Sequence, residues 1–316
     1  MKAVFLDLAT LDFDDLLLNS LQQSCDFFSA FSATEPEQVA ERIIDAEIVI
    51  LNKVVLNAEL LTRATKLKLV CIAATGTNNV DLEAARALGI TVTNCQAYGT
   101  NSVAQHVLAM MLALHTNLIA YDRAVKRGDW GRSEQFCLLD YPVAELAGKT
   151  LGLVGFGALG QGVASLAEAF GMQVIVSRRQ GASEPGCLSL DEVLRQADVL
   201  SLHCPLTDET KDLIDASALA KMKAGSFLIN TARGGIVNEN ALAEALKSGH
   251  LAGAATDVLS VEPPRDGNVL LDEDIPSLII TPHSAWGSLQ ARQRIVDQLA
   301  ENIGAFRSAE VLRVVN

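Results

Sequence analysis

Residues 149–160 read Lys149-Thr150-Leu151-Gly152-Leu153-Val154-Gly155-Phe156-Gly157-Ala158-Leu159-Gly160. An apolar strand runs into Gly155-x-Gly157-x-x-Gly160, and a helical pattern follows. That context turns a common glycine spacing into a dinucleotide-binding fingerprint. Gly155 allows the tight turn, Gly157 lets backbone approach a pyrophosphate, and Gly160 lets helix and strand pack closely. The helix N-terminus offers N–H groups to the anion. Gly155, Phe156, Gly157, Ala158, Leu159 and Gly160 are therefore candidate cofactor contacts.

The next strand ends in Ser177-Arg178-Arg179. An Asp or Glu at this place would hold the ribose hydroxyls of NAD. A serine and two arginines instead suit a 2′-phosphate, with hydrogen bonding and bidentate pairing. This favours NADP(H), with NAD(H) as the alternative.

Outward from this stretch, short apolar runs alternate with helical patterns. Strands are expected at 3–6, 48–51, 69–73 and 90–92, and again at 150–154, 173–176, 199–203, 226–229, 253–256 and 278–281. Such alternation predicts α/β architecture: two Rossmann-like, doubly wound parallel-sheet domains. Residues 101–125 are apolar around much of their circumference and read as one long buried helix. Residues 288–311 read as a helix and tail.

Composition bounds the rest. The chain has 316 residues, 49% of them hydrophobic, which is a prior for two domains. A net charge of −13 argues against a nucleic-acid or anionic-membrane partner. No apolar run reaches the length of a membrane helix. The N-terminal apolar run meets Asp7 and is expected to be a first strand, not a leader. The six cysteines lack CxxC spacing, which predicts reduced thiols in the cytoplasm. The five histidines lack HxH or HExxH spacing, so no metal site is expected.

Three segments put ionisable groups where strands end, at Arg233, at Asp257 and Glu262, and at His283. Singly, each could be a surface charge or a satisfied turn residue. Beside a nicotinamide they supply 2-hydroxy acid chemistry. An arginine clamps a carboxylate, a histidine exchanges the proton of the carbonyl oxygen, and a glutamate orients that histidine.

The motifs Asn230-Thr231-Ala232-Arg233-Gly234-Gly235, Asp257-Val258-Leu259-Ser260-Val261-Glu262-Pro263 and Pro282-His283-Ser284-Ala285, with the glycine fingerprint, resemble the D-isomer-specific 2-hydroxyacid dehydrogenase family. The resemblance runs from about Leu69 to Trp286. It implies that Arg233, Glu262 and His283 are catalytic, and that Arg233 also binds the substrate carboxylate. It places His203, Cys204, Pro205 and Leu206 along the adenine side, Thr231 and Ala232 near the nicotinamide ribose, and Asp257 by the carboxamide, with Thr210 a further cofactor contact. His283 and Ala285 complete the cofactor contacts. Thr75, Gly76 and Thr77 resemble the substrate loop, and Lys53 is a further substrate-binding candidate.

The family also implies a split substrate domain, 1–97 with 286–316, into which the cofactor domain 98–285 is inserted. It implies a homodimer.

Residues 98–106 and 132–137 resemble the glycerate dehydrogenase, or hydroxypyruvate reductase, branch. Ile72 stands where phosphoglycerate dehydrogenases carry an arginine, and Glu262 where formate dehydrogenases carry glutamine. The expected reaction is reduction of hydroxypyruvate or glyoxylate to D-glycerate or glycolate. The alternatives are a bulkier 2-hydroxy acid, or a dinucleotide-sensing, corepressor-like binding protein of the same fold.

Overall fold

A computed structural model describes residues 1–177 and 186–316. The chain divides into two compact units, Met1–Gly99 with Gly287–Asn316, and Thr100–Trp286.

In the first unit, strands and helices alternate: β1 (Lys2–Phe5), α1 (Asn19–Gln23), β2 (Phe27–Ala30), α2 (Pro36–Ile43) and β3 (Ile48–Leu51). Then come α3 (Ala58–Arg63), β4 (Leu69–Ile72), α4 (Leu82–Ala87) and β5 (Thr91–Thr93). The strands pair in parallel in the order β2-β1-β3-β4-β5. Successive side chains of a strand point to opposite faces, so continuous apolar runs supply two cores. Val4, Val49, Leu51, Val70 and Ile72 pack with Val39 and Ile43 of α2, Leu61 of α3 and Ala85 of α4. The alternate residues Ala3, Phe5, Ile48, Ile50, Leu69 and Cys71 are wholly buried too. The helix Leu289–Arg307 packs on β4, burying Ile295, Val296, Leu299 and Ile303.

Strand β2 was not anticipated. It is a four-residue edge strand whose residues are mostly exposed although Phe27, Phe28 and Ala30 are apolar, so its place depends on pairing with β1 rather than on burial of its own side chains.

The second unit begins with α5 (Thr100–His115), α6 (Leu118–Lys126) and α7 (Asp129–Arg132). It continues β6 (Thr150–Val154), α8 (Ala158–Ala169), β7 (Gln173–Ser177), α9 (Leu190–Gln196) and β8 (Val199–Leu202). It closes with α10 (Ala216–Lys221), β9 (Ser226–Asn230), α11 (Glu239–Lys247), β10 (Leu251–Thr256) and β11 (Leu278–Ile280). The described strands run parallel in the order β11-β10-β9-β8-β6-β7.

Both faces of this sheet are covered. Leu200, Leu202, Leu228 and Ala254 pack against α9, α10 and α11 through Val193, Leu219 and Leu242. Leu151, Leu153, Val199, Ile229 and Ala255 pack against α5 and α8 through Val107, Met111 and Val163. Neighbouring residues such as Leu228 and Ile229 therefore serve opposite cores.

The expected single helix over 101–125 is instead two helices, α5 and α6, bent by 58°. Asn117 sits between them in the left-handed region, with φ 51°. Asparagine tolerates that conformation better than most residues. Its side-chain amide donates to the Pro142 carbonyl at 2.6 Å, and Ala144 N–H donates to the His115 carbonyl at 2.9 Å. These tertiary bonds hold the break inside an unbroken apolar pattern. Among the described residues, no single helix is long and apolar enough to cross a membrane.

Candidate functional site

The parallel register of the second unit puts five strand ends side by side. Val154 pairs with Leu202, Leu202 with Asn230, Asn230 with Thr256, and Thr256 with Ile280. The following residues, Gly155, His203, Thr231, Asp257 and Thr281, therefore leave the sheet along one carboxyl edge. That edge is where open α/β sheets bind ligands.

Gly155 has φ 97°, and a Cβ there would lie 2.7 Å from the Cys204 nitrogen. Gly160 abuts the Gly155 carbonyl just as closely. Gly157 differs: a Cβ there would meet nothing within 4 Å. It stands at the N-cap of α8, and no side chain caps the helix. Phe156 is exposed, Ala158 is exposed and Leu159 half-buried along this first turn. An open, uncapped helix start beside a forced glycine turn suits a pyrophosphate.

Two buried polar atoms on the same edge have no hydrogen-bond partner, His203 Nδ1 and Thr231 Oγ1. His203 Nε2 lies 2.9 Å from Ser201 Oγ. Buried orphan groups cost free energy and point to a missing partner. Together with the space at Gly157, they fit a bound dinucleotide.

The adjoining loop is self-contained. Thr210 donates its hydroxyl to the Pro205 carbonyl at 2.7 Å and accepts the Thr207 N–H at 2.7 Å. Burial pushes the Cys204 thiol above its usual range, which disfavours a thiolate. Ser177 ends β7. Arg178 and Arg179 lie outside the described residues.

Arg233 sits on the turn after β9. Buried Asn230 shapes that turn: its Nδ2 donates to the Arg233 carbonyl at 2.9 Å, and its Oδ1 accepts the Ala232 N–H at 3.1 Å. Ala232 is buried, whereas the Arg233 side chain is exposed, with Nη1 donating to the Ala232 carbonyl at 2.7 Å. Gly234 abuts the backbone of Leu259 so closely that a Cβ would collide with it.

Glu262 bridges this turn to the histidine. Its Oε1 accepts the Leu259 N–H at 2.9 Å, and its Oε2 lies 2.7 Å from His283 Nδ1. Both side chains are one-third exposed. Glu262 thus fixes the ring at Nδ1 and leaves Nε2 as the nitrogen that can exchange a proton with substrate. His283 has φ 52°, and its N–H donates to the Asp257 carbonyl at 2.8 Å.

The remaining candidates belong to the first unit. The carboxylate of buried Asp7 accepts N–H bonds from Asn52 at 2.8 Å, Lys53 at 2.6 Å and Val54 at 3.1 Å. The loop carrying the exposed Lys53 is therefore held at its backbone. Thr75 donates its hydroxyl to the Cys95 carbonyl at 3.0 Å, and Asn94 Nδ2 donates to the Thr75 carbonyl at 2.8 Å. Gly76 and Thr77 follow in the same turn, both half-buried.

Sequence reasoning gave neither Thr281 nor His106 a role at the site. Both touch the Asp257 carboxylate or its partners. Their place depends on contacts 24 and 175 residues apart in sequence, which no local motif announces.

Among the described residues, no cluster of metal-ligating side chains is present.

Comparison with known proteins identifies the family. The family model for the D-isomer specific 2-hydroxyacid dehydrogenase, NAD binding domain, matches residues 108–285. The chain is 46% identical over 314 residues to the glycerate dehydrogenase of Methylorubrum extorquens, covering 99% of this chain and 98% of the relative. It is 36% identical over 323 residues to the hydroxypyruvate reductase of Blautia hydrogenotrophica, covering 100% of both. A Thermus thermophilus protein of known crystal structure superposes with a TM-score of 0.87 at 35% identity, covering 100% of both chains.

The half-buried His203 ring, with its Nδ1 atom wholly enclosed, yields a pH prediction. Burial lowers its pKa from 6.5 to about 4. Between those values the unfolded chain binds a proton that the folded chain refuses, so stability falls as pH drops through that window. Above it the contribution is complete. Thermal melts at pH 7 and pH 5 should show a larger loss for the wild type than for His203→Gln. An identical pH dependence in both would remove His203 as the cause.

Proposed function

The chain belongs to the D-isomer-specific 2-hydroxyacid dehydrogenase family, and on that premise we propose that it reduces hydroxypyruvate, or glyoxylate, to D-glycerate or glycolate, with NADPH preferred over NADH. The observation that carries this reading is the 2.7 Å pair between His283 Nδ1 and Glu262 Oε2 at the strand edge. The likeness to a glycerate dehydrogenase and a hydroxypyruvate reductase supports the small substrate.

The nicotinamide, when bound, supplies the hydride that C2 of the 2-oxo acid accepts. The chain's own residues do the rest. The Arg233 guanidinium pairs with the substrate carboxylate and polarises the carbonyl. His283 donates the Nε2 proton to the carbonyl oxygen as it becomes a hydroxyl. Glu262 orients the ring through its contact with Nδ1. In the reverse direction the same ring accepts the proton. Lys53, Thr75, Gly76 and Thr77 are further proposed substrate-binding residues.

On the cofactor side, the glycine turn, His203, Cys204, Pro205, Thr231, Ala232, Asp257 and Ala285 are the proposed contacts. Thr210 acts through the shape of its loop. Ser177, with Arg178 and Arg179, is the proposed reader of the 2′-phosphate, since that strand end carries no carboxylate to repel it.

We assign the protein to the cytoplasm, where its six free thiols suit a reducing compartment. We also assign a homodimer. Trp130, Phe136, Leu139 and Val143 are exposed on one short segment, Phe136 at 91% and Leu139 at 77%. Water-exposed apolar clusters of this kind mark interaction surfaces.

Reduced-nicotinamide consumption with hydroxypyruvate tests the activity. Arg233→Ala should lower kcat/KM on the order of 10³-fold, about 4 kcal/mol at 1.36 kcal/mol per decade, with cofactor Kd unchanged. Activity that survives the substitution would remove Arg233 from the mechanism. The wild type should turn over faster with NADPH, and Ser177→Asp should shift the ratio toward NADH by charge repulsion. An unaltered ratio would place phosphate recognition elsewhere. In sedimentation, Phe136→Asp combined with Leu139→Asp should convert a dimer to monomer; a wild type that already sediments as a monomer refutes the dimer.

A further inference from the structure

We propose that Thr281, held between His106 and Asp257, is a positioning residue that sets the orientation of His283. The inference deepens the proposed function and rests on its choice of His283 as the proton donor.

Asp257 is a carboxylate with 1% exposure. Its Oδ1 accepts the Thr281 hydroxyl at 2.5 Å and the Ser284 N–H at 2.9 Å. Its Oδ2 accepts the Ala285 N–H at 2.9 Å. All three donors come from the segment that carries His283. The backbone repeats the pattern: Thr281 N–H donates to the Thr256 carbonyl at 3.0 Å, and His283 N–H to the Asp257 carbonyl at 2.8 Å. The Asp257 residue therefore grips the histidine turn on both sides of His283.

The direction of the chain of bonds follows from the groups. A carboxylate only accepts, so the Thr281 proton points at Asp257. The Thr281 oxygen then accepts from His106, whose Nε2 lies 3.0 Å away. His106 must carry its proton on Nε2 to do so. The same nitrogen lies 3.8 Å from Asp257 Oδ1. His106 belongs to α5, which is packed into the core. The histidine turn is thereby tied to α5 at two points, ahead of His283 through the Thr281 hydroxyl and after it through the Ser102 hydroxyl, which donates to the Ala285 carbonyl at 2.7 Å.

This gripping matters because His283 is held at φ 52°, a region where non-glycine residues persist only when their surroundings fix them. Glu262 restrains the ring at Nδ1 but does not restrain the backbone from which the ring projects. Loss of the Thr281 hydroxyl would leave Glu262 in place and let the turn shift. A proton donor needs hydrogen-bond reach to its acceptor, so a small displacement costs rate.

The test uses the full chain. Thr281→Val removes the hydroxyl at nearly constant volume, and Thr281→Ser keeps it. Nitrogen-15 spectra of the imidazoles should show the His283 ring signals displaced in Thr281→Val and restored in Thr281→Ser. With hydroxypyruvate, Thr281→Val should lower kcat about tenfold while cofactor Kd, read by nicotinamide fluorescence, stays within about twofold. Should Thr281→Val not fold, His106→Leu carries the same test, with a smaller displacement in the same signals. Unmoved His283 signals in the folded variant overturn the proposal. So does a rise in cofactor Kd that accounts for the whole rate loss, which would make Asp257 a cofactor contact only. If the wild type turns over no 2-oxo acid, the proposed function fails, whereas the ring signals still decide the positioning role.

Discussion

Parallel pairing in register is the constraint on which the second unit depends. Val154, Leu202, Asn230, Thr256 and Ile280 are aligned across the ladder. Everything chemical leaves the sheet one residue later, or on the turns that follow. A slip of one residue on any strand would exchange its two core faces. It would bury a polar turn and withdraw one functional group from the row. Core packing and site assembly are thus enforced by the same alignment, and Leu228 and Ile229 show how: adjacent residues lock β9 between two different cores.

The glycines along that edge divide by what limits them. At Gly155 and Gly234 the neighbouring backbone leaves no room for a side chain. At Gly157 the room is there and unfilled. Packing explains the first two without any ligand. It sets no limit on the third, which stands exposed at a helix start with no side-chain cap, where free N–H groups can take an anion. The orphaned atoms of His203 and Thr231 say the same in the language of hydrogen bonds. Among the described residues these two buried atoms lie without a partner on the edge where the fingerprint points, and a third, His115 Nε2, lies apart from it at the end of α5.

Much of this was legible in the sequence, for physical reasons. Buried parallel strands are short and continuously apolar, so 48–51 and 150–154 could be read to the residue. The glycine fingerprint and the arginine, glutamate and histidine motifs are local, so their residues could be named from the order of amino acids alone. The α/β class followed from alternation alone. What escaped depends on context. Strand β2 lies at an edge and carries a mostly exposed surface. The break between α5 and α6 is held by Asn117 and the Pro142 carbonyl, inside a run whose apolar pattern continues past it. The Thr281 hydroxyl and the His106 ring meet only because β11 and α5 are brought together by the fold.

Asp257 shows why such tertiary links concentrate at the site. An ionised carboxylate with 1% exposure loses its hydration and must recover it from donors inside the protein. The sheet cannot provide them, because its N–H groups are committed to the ladder. The donors have to come from chain that has left the sheet, and the segment after β11 supplies a hydroxyl and two N–H groups. Satisfying the buried charge and fixing the left-handed turn at His283 are therefore one event. A substitution that relaxed the turn would leave a buried charge short of donors, a cost of several kcal/mol in the limiting case. The orientation of the histidine is guarded by the stability of the fold itself, and this is how a half-buried imidazole on a loop comes to be as well placed as a side chain in the core.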